Sequence, residues 1–226
     1  PPQLIGPDWQ KVAAAVAALK RICVISGGPG TGKTSTVLRI LALLAGQAGE
    51  RPARIALAAP TGKAAARLQE SIRAAKPGLG LDPAVAAQIP EEASTLHRLL
   101  GGRPDSVYFR HDRDNPLPLD ILVVDEVSMV GLALMAKTVD ALPPDARLIL
   151  LGDKDQLASV EAGSVLGEIC AGAGRFSPEF QARLTALTGE ALPGGRAAIS
   201  PLVDTIVLLR HSFRFGADSG IGALAR

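Results

Sequence analysis

The run Gly27-Gly28-Pro29-Gly30-Thr31-Gly32-Lys33-Thr34 constrains this chain more than any other stretch. It fits the pattern G-x-x-x-x-G-K-[ST], a loop whose backbone N–H groups curl around phosphate oxygens. Its flanks are the ones such a loop requires. Residues 21–26 are an apolar run that reads as a buried strand, and residues 35–44 read as a helix. The loop then falls at a helix N-terminus, whose positive end favours anions. Residues Gly27 to Ser35 are therefore expected to cradle a nucleoside triphosphate.

A second element supplies the chemistry that binding alone does not need. Ile121-Leu122-Val123-Val124 is an apolar strand that ends in Asp125 and Glu126. Lys33 is the point charge for the β- and γ-phosphates, and the Thr34 hydroxyl is a magnesium ligand. Asp125, at the C-terminal end of its strand, is expected to hold the same ion, commonly through water. Glu126 then orients or deprotonates the attacking water. A chain that only binds nucleotide has no use for this second carboxylate, so hydrolysis of ATP with Mg2+ is the expected reaction.

Strands and helices alternate along the chain, which predicts an α/β fold: a mostly parallel sheet with helices on both faces. The reading places a helix over 8–20, a strand over 54–59 and a helix over 61–75. Residues 76–93 read as a surface excursion, and 94–100 as a short helix capped by Ser94. Residues 101–118 read as a polar arm, with Val107-Tyr108-Phe109 as a small hairpin. Strands follow over 119–124 and 147–151 with a helix between them. A helix over 163–171, an irregular insertion over 172–200 and a last strand over 205–209 complete the series. With 226 residues and 47% hydrophobic content the chain can bury a real core. Its apolar runs are too short and interrupted for a membrane span. Two cysteines, Cys23 and Cys170, fit reduced core residues, which points to the cytoplasm. Three scattered histidines offer no zinc site. The net charge of +2 does not by itself argue for nucleic acid.

The order of the motifs brings a family into view. Ala59-Pro60-Thr61-Gly62-Lys63-Ala64-Ala65 and Ser94-Thr95-Leu96-His97-Arg98-Leu99-Leu100 precede Asp125-Glu126-Val127-Ser128-Met129. Leu151-Gly152-Asp153-Lys154-Asp155-Gln156-Leu157 and Leu209-Arg210-His211-Ser212-Phe213-Arg214-Phe215 follow it. From about Trp9 to the last residue, the series resembles the superfamily 1 DNA helicases of the RecD type, the alpha subunits of exodeoxyribonuclease V. The resemblance implies a RecA-like motor domain over 1–200, with 76–93, 101–118 and 172–200 as insertions. Residues 201–226 would supply the last strand and the start of a link to a second RecA-like domain. It implies that Gln10 contacts adenine, that Gln156 senses the γ-phosphate, and that Arg214 reaches the γ-phosphate in the transition state. It assigns Pro60, Thr61 and Lys63, together with Thr95, His97 and Arg98, to single-stranded DNA. It further implies 5′-to-3′ travel in recombinational repair, alongside other subunits of an exodeoxyribonuclease V-type complex and away from membranes. The sequence begins at the glutamine motif and stops where the second domain would start, so a first motor domain fragment is expected.

Blander readings stay open at several positions. Lys63 also reads as an ordinary exposed lysine, His97 as a packed histidine, and Trp9 as a hydrophobic anchor or, beside Gln10, a border to the adenine. Tyr108 and Phe109 read as pinning the arm to the core, with stacking on bases the alternative, and Met129 and Met135 read as packing. Two other function classes also stay open. A nucleotide kinase would carry an arginine-rich lid and lack the 152–156 element. A non-catalytic assembly subunit would have no need of Lys33, Asp125 and Glu126 together.

Overall fold

The computed structural model describes residues 6–49, 51–103, 106, 108–156, 165–170, 175–194 and 202–211. Six strands form one sheet: β1 (Ile22–Gly27), β2 (Ile55–Ala59), β3 (Ala93–Thr95), β4 (Ile121–Val124), β5 (Arg147–Gly152) and β6 (Ile206–Leu209). Their order is β3-β2-β4-β5-β1-β6, and every pairing is parallel. Strands covered on both faces carry no polar alternation, which is why they read as unbroken apolar runs.

Alternate residues of each strand feed two separate cores. Cys23, Ile25, Leu57, Val123, Ile149, Leu151 and Val207 face α1 (Trp9–Leu19), α2 (Lys33–Gly46), α3 (Gly62–Ala75) and α8 (Pro178–Thr188). Val24, Leu122, Val124, Leu148, Leu150 and Ile206 face the other way. There they meet α5 (Leu96–Leu99), α6 (Leu132–Asp140) and α7 (Val165–Ile169). This is the RecA-like α/β arrangement expected from the sequence. Both cysteines are free and buried. Burial pushes the Cys23 thiol up to about 12 and the Cys170 thiol up to about 11, so both stay protonated. Among the described residues, no helix is long and apolar enough to cross a membrane.

Local details depart from the sequence reading in five places. Ser94 does not cap a helix: it lies within β3, paired with Ala58, and Thr95 caps α5 instead by accepting the Arg98 N–H at 3.2 Å. The 76–93 stretch is not simply a surface excursion. It holds a 3-10 turn (Lys76–Leu79) and α4 (Pro83–Gln88), and it buries Ile89 against the first core. Residues 178–188 are helical, because Phe180, Leu184 and Thr188 put one buried stripe on α1's side of the sheet. Glu190 after that helix accepts the Asp8 N–H at 3.0 Å, and Asp204 accepts from both the N–H and the hydroxyl of Ser177. Tyr108 is 74% exposed, so only Phe109 packs, and neither sits in a strand; Val107 lies outside the described residues. Met129 is 42% exposed while Met135 is buried.

Candidate active site

The phosphate loop joins the C-terminal end of β1 to the first turn of α2. Gly32 starts that turn with φ +81°, a left-handed conformation that glycine adopts without Cβ strain. It brings no side-chain cap, and the first turn carries no acidic residue. The helix N-terminus therefore faces the loop with its positive end unneutralised. The Lys33 ammonium donates to Gly27 O at 2.5 Å and Gly28 O at 3.2 Å, folded across the loop it would share with a phosphate. Thr31 closes the loop from within, its hydroxyl donating to Gly28 O at 2.8 Å. Thr34 and Ser35 follow Lys33 in the first turn of α2, half-buried.

Gln10 reaches this loop from the start of α1. Its amide Nε2 donates to Thr31 O at 3.3 Å, and its Oε1 accepts from the Arg39 guanidinium at 3.3 Å. Asp8 caps α1 by accepting the Gln10 and Lys11 N–H groups, which fixes where Gln10 leaves the backbone. Trp9 packs partly against the first core, and the Arg210 guanidinium lies 5.3 Å from its ring centre.

The carboxylate pair arrives from β4. Asp125 donates its backbone N–H to Ala58 O, continuing the ladder, and its side chain accepts the Glu126 N–H at 2.9 Å. Burial raises the Asp125 carboxyl above its ordinary range. The Glu126 N–H opposes the shift, the Glu126 charge adds to it, and the Lys33 ammonium opposes it. Glu126 itself sits at φ +53°, ψ +43°. Left-handed backbone is costly for a residue with a Cβ, and such strain gathers where a side chain must be aimed. The strained residue turns the chain from β4 into a 3-10 turn, Val127–Met129.

The loop after β5 closes the site. The Ser26 hydroxyl accepts the Lys154 N–H at 3.0 Å, anchoring this loop to β1. A Cβ on Gly28 would stand 3.9 Å from Asp153 Oδ2, so that carboxylate lies beside the phosphate loop. Gln156 accepts from the Ser128 hydroxyl at 2.9 Å. Gln10, the phosphate loop, Asp125, Glu126 and Gln156 are thus gathered at one end of the sheet. Arg214 lies outside the described residues. Arg39, Ser128 and Asp153 were not singled out from sequence. Asp153 sits inside the quoted 152–156 element, whereas Arg39 carries no local signal at all.

The other predicted group lies along the same rim. Ala59 pairs with Thr95, so the ends of β2 and β3 are adjacent. Pro60 and Thr61 follow β2, and Thr61 caps α3 by accepting the Ala64 N–H at 3.2 Å. Thr61, Lys63, His97 and Arg98 are exposed. The His97 ring is 5.8 Å from that of Phe109, so it has one aromatic neighbour without being packed away.

A family model described as AAA domain matches residues 10–162. The RecBCD enzyme subunit RecD of Haemophilus influenzae is 48% identical over 223 residues, covering 96% of this chain and 34% of that protein. Its counterpart from Mycolicibacterium smegmatis is 55% identical over 177 residues, covering 75% and 31%. The ATP-dependent RecD2 DNA helicase of Deinococcus radiodurans is 46% identical over 143 residues, covering 63% and 17%. The chain thus spans about a third of the length of the first two relatives. Among solved structures, Bacteroides Pif1 bound to ssDNA gives a TM-score of 0.40 at 21% identity, covering 75% of this chain and 36% of that one. The family match falls on the phosphate loop and the carboxylate strand alike: this chain belongs to the AAA-domain family, with a RecD-like sequence over nearly its whole length.

Proposed function

We propose that this chain is the first motor domain, over residues 1–200, of an ATP-dependent DNA helicase. It hydrolyses ATP with Mg2+ to move 5′-to-3′ along single-stranded DNA in recombinational repair. Residues 201–226 begin the link to a second RecA-like domain. The observation that carries this reading is the sharing of one sheet end by two sites. The loop and carboxylate residues follow β1, β4 and β5, and the Thr61 and Thr95 group stands at the ends of β2 and β3. A rigid sheet spanning both can pass a change at the γ-phosphate to the DNA track.

The chain's own residues divide the work. Lys33 and the N–H groups of the loop hold the β- and γ-phosphates. Thr34 and Asp125 form a hard-oxygen donor pair suited to magnesium. The buried, raised Asp125 carboxyl is stabilised as its anion once a cation faces it. Held by Thr34 and Asp125, a magnesium ion would supply positive charge to the phosphate oxygens. Glu126 takes a proton from the attacking water as the γ-phosphorus accepts the new oxygen and ADP leaves. Gln156 and Arg214 meet the γ-phosphate, and Gln10 meets the adenine. Pro60, Thr61, Lys63, Thr95, His97 and Arg98 hold the DNA backbone without reading its sequence. The name of the RecD relatives, RecBCD enzyme subunit, supports assembly into a complex of that type. Two protonated, buried thiols accord with a cytoplasmic setting.

The test is ATP turnover of the full-length polypeptide with and without single-stranded oligonucleotide. Turnover that rises with DNA and is abolished by Lys33→Ala is expected. Turnover indifferent to DNA would remove the helicase reading and leave an ATPase of another kind.

A further inference from the structure

We propose that Ser128 is a positioning residue for hydrolysis, holding the Gln156 amide so that its N–H donors face the phosphate and joining that glutamine to the turn that begins at Glu126. The inference rests on the role given to Gln156 under the proposed function.

Three observations carry it. The left-handed Glu126 starts a tight turn, and that turn lies directly on the end of β5. A Cβ built at Gly152 would stand 3.4 Å from the Ser128 nitrogen and 3.5 Å from the Val127 nitrogen, ordinary van der Waals contact that places the turn against the end of β5. Second, Ser128 is 3% exposed and its hydroxyl donates to Gln156 Oε1 at 2.9 Å. A buried hydroxyl without a partner is costly, so this bond is strongly preferred. Third, the Gln156 side chain is exposed, and its backbone N–H donates to Asp153 O at 3.2 Å. A side chain with three free torsions would otherwise sample many rotamers.

The chemistry makes the amide's orientation matter. A glutamine amide has an acceptor end and a donor end. Turned by half a rotation, it would present Oε1 lone pairs to phosphate oxygens and repel them. Engaging Oε1 with the Ser128 hydroxyl leaves Nε2, with two donors, for the γ-phosphate or the attacking water. Because Ser128 lies two residues after Glu126, the same bond ties the glutamine loop to the backbone that aims the base.

The experiment is a double-variant cycle on ATP turnover of the full-length polypeptide with saturating single-stranded DNA. Ser128→Ala is expected to lower kcat by about tenfold, the scale of one lost positioning hydrogen bond, with KM for ATP changed less than about twofold. Gln156→Ala should lower kcat at least as much, and the double variant should be no slower than Gln156→Ala alone. Losses that multiply in the double variant, or a Ser128→Ala enzyme with normal kcat, would overturn the proposal. Normal turnover in Gln156→Ala would overturn the glutamine's role and Ser128's with it. DNA-stimulated turnover and its loss in Lys33→Ala report separately on the helicase reading. Should Ser128→Ala not fold, Ser128→Cys keeps the size with a weaker donor. An intermediate kcat is then expected, and an unchanged one overturns the proposal.

Discussion

Ala59 and Thr95 are register partners at the ends of β2 and β3, which sets two helix-capping threonines, Thr61 and Thr95, on one rim. Each threonine oxygen accepts a backbone N–H, from Ala64 and Arg98 respectively, and a hydroxyl that accepts one bond can still donate another. The exposed Lys63 is the second residue of α3, two after the first of them.

That geometry predicts a sequence-tolerant grip on single-stranded DNA that weakens steeply with salt. Lys63→Ala should weaken binding by a similar factor on unrelated oligonucleotides and lower the salt slope by about 0.7, the value for one phosphate contact. Fluorescence anisotropy across salt concentrations measures it. A slope equal to that of the unaltered protein makes Lys63 a plain surface lysine.

Lys33→Ala should abolish useful ATP binding. Its ammonium is the cation seated across Gly27 and Gly28, and a charge-assisted contact to phosphate has no neutral substitute. Titration calorimetry with a non-hydrolysable analogue and magnesium reads the result. Unchanged affinity in a folded variant would end the phosphate-loop assignment.

Two substitutions at Glu126 separate its strain from its chemistry. Glu126→Gln should bind ATP normally yet hydrolyse it roughly a hundredfold more slowly, as for a lost positioned base. Glu126→Gly should be equally inactive but more stable by about 1 kcal/mol, because glycine occupies φ +53° without Cβ strain. Thermal melts and steady-state turnover together decide it. A Glu126→Gly chain that melts lower would show that the side chain stabilises the fold.

Acid should weaken the start of the sheet through Asp120. Its carboxylate accepts from the Arg54 backbone N–H at 2.9 Å and from the Arg54 guanidinium at 2.8 and 3.1 Å, joining β2 to β4. The Arg54 side-chain hydrogen bonds lead in holding its pKa down, from 3.8 to about 2. A depressed folded-state pKa stabilises above the unfolded value, and that contribution is lost as pH falls from about 4 toward 2. Asp120→Asn should therefore melt lower than the unaltered protein at pH 7, with the gap closing across that window. The pair is partly exposed, so the gap is modest and shrinks with salt. An equal gap at both ends of the window would assign the effect to something other than charge.

How much was legible depended on how local each feature is. The phosphate loop, the apolar runs of β1, β4 and β5 and the carboxylates at the end of β4 are written in consecutive residues, because parallel strands buried on both faces need unbroken apolar sequence. Sequence alone thus determined the fold class and the order of the motifs along it. Ala93–Thr95 carries no such run, and it becomes a strand only by pairing with β2. The helix Pro178–Thr188 was hidden for a similar reason: its short stripe gains meaning from α1 and β6 beside it. The aim of Glu126, the reach of Arg39 to Gln10 and the bond from Ser128 to Gln156 were decided by tertiary structure. They join residues on different loops, and only a sheet that fixes the spacing of its strand ends brings those loops within hydrogen-bond distance.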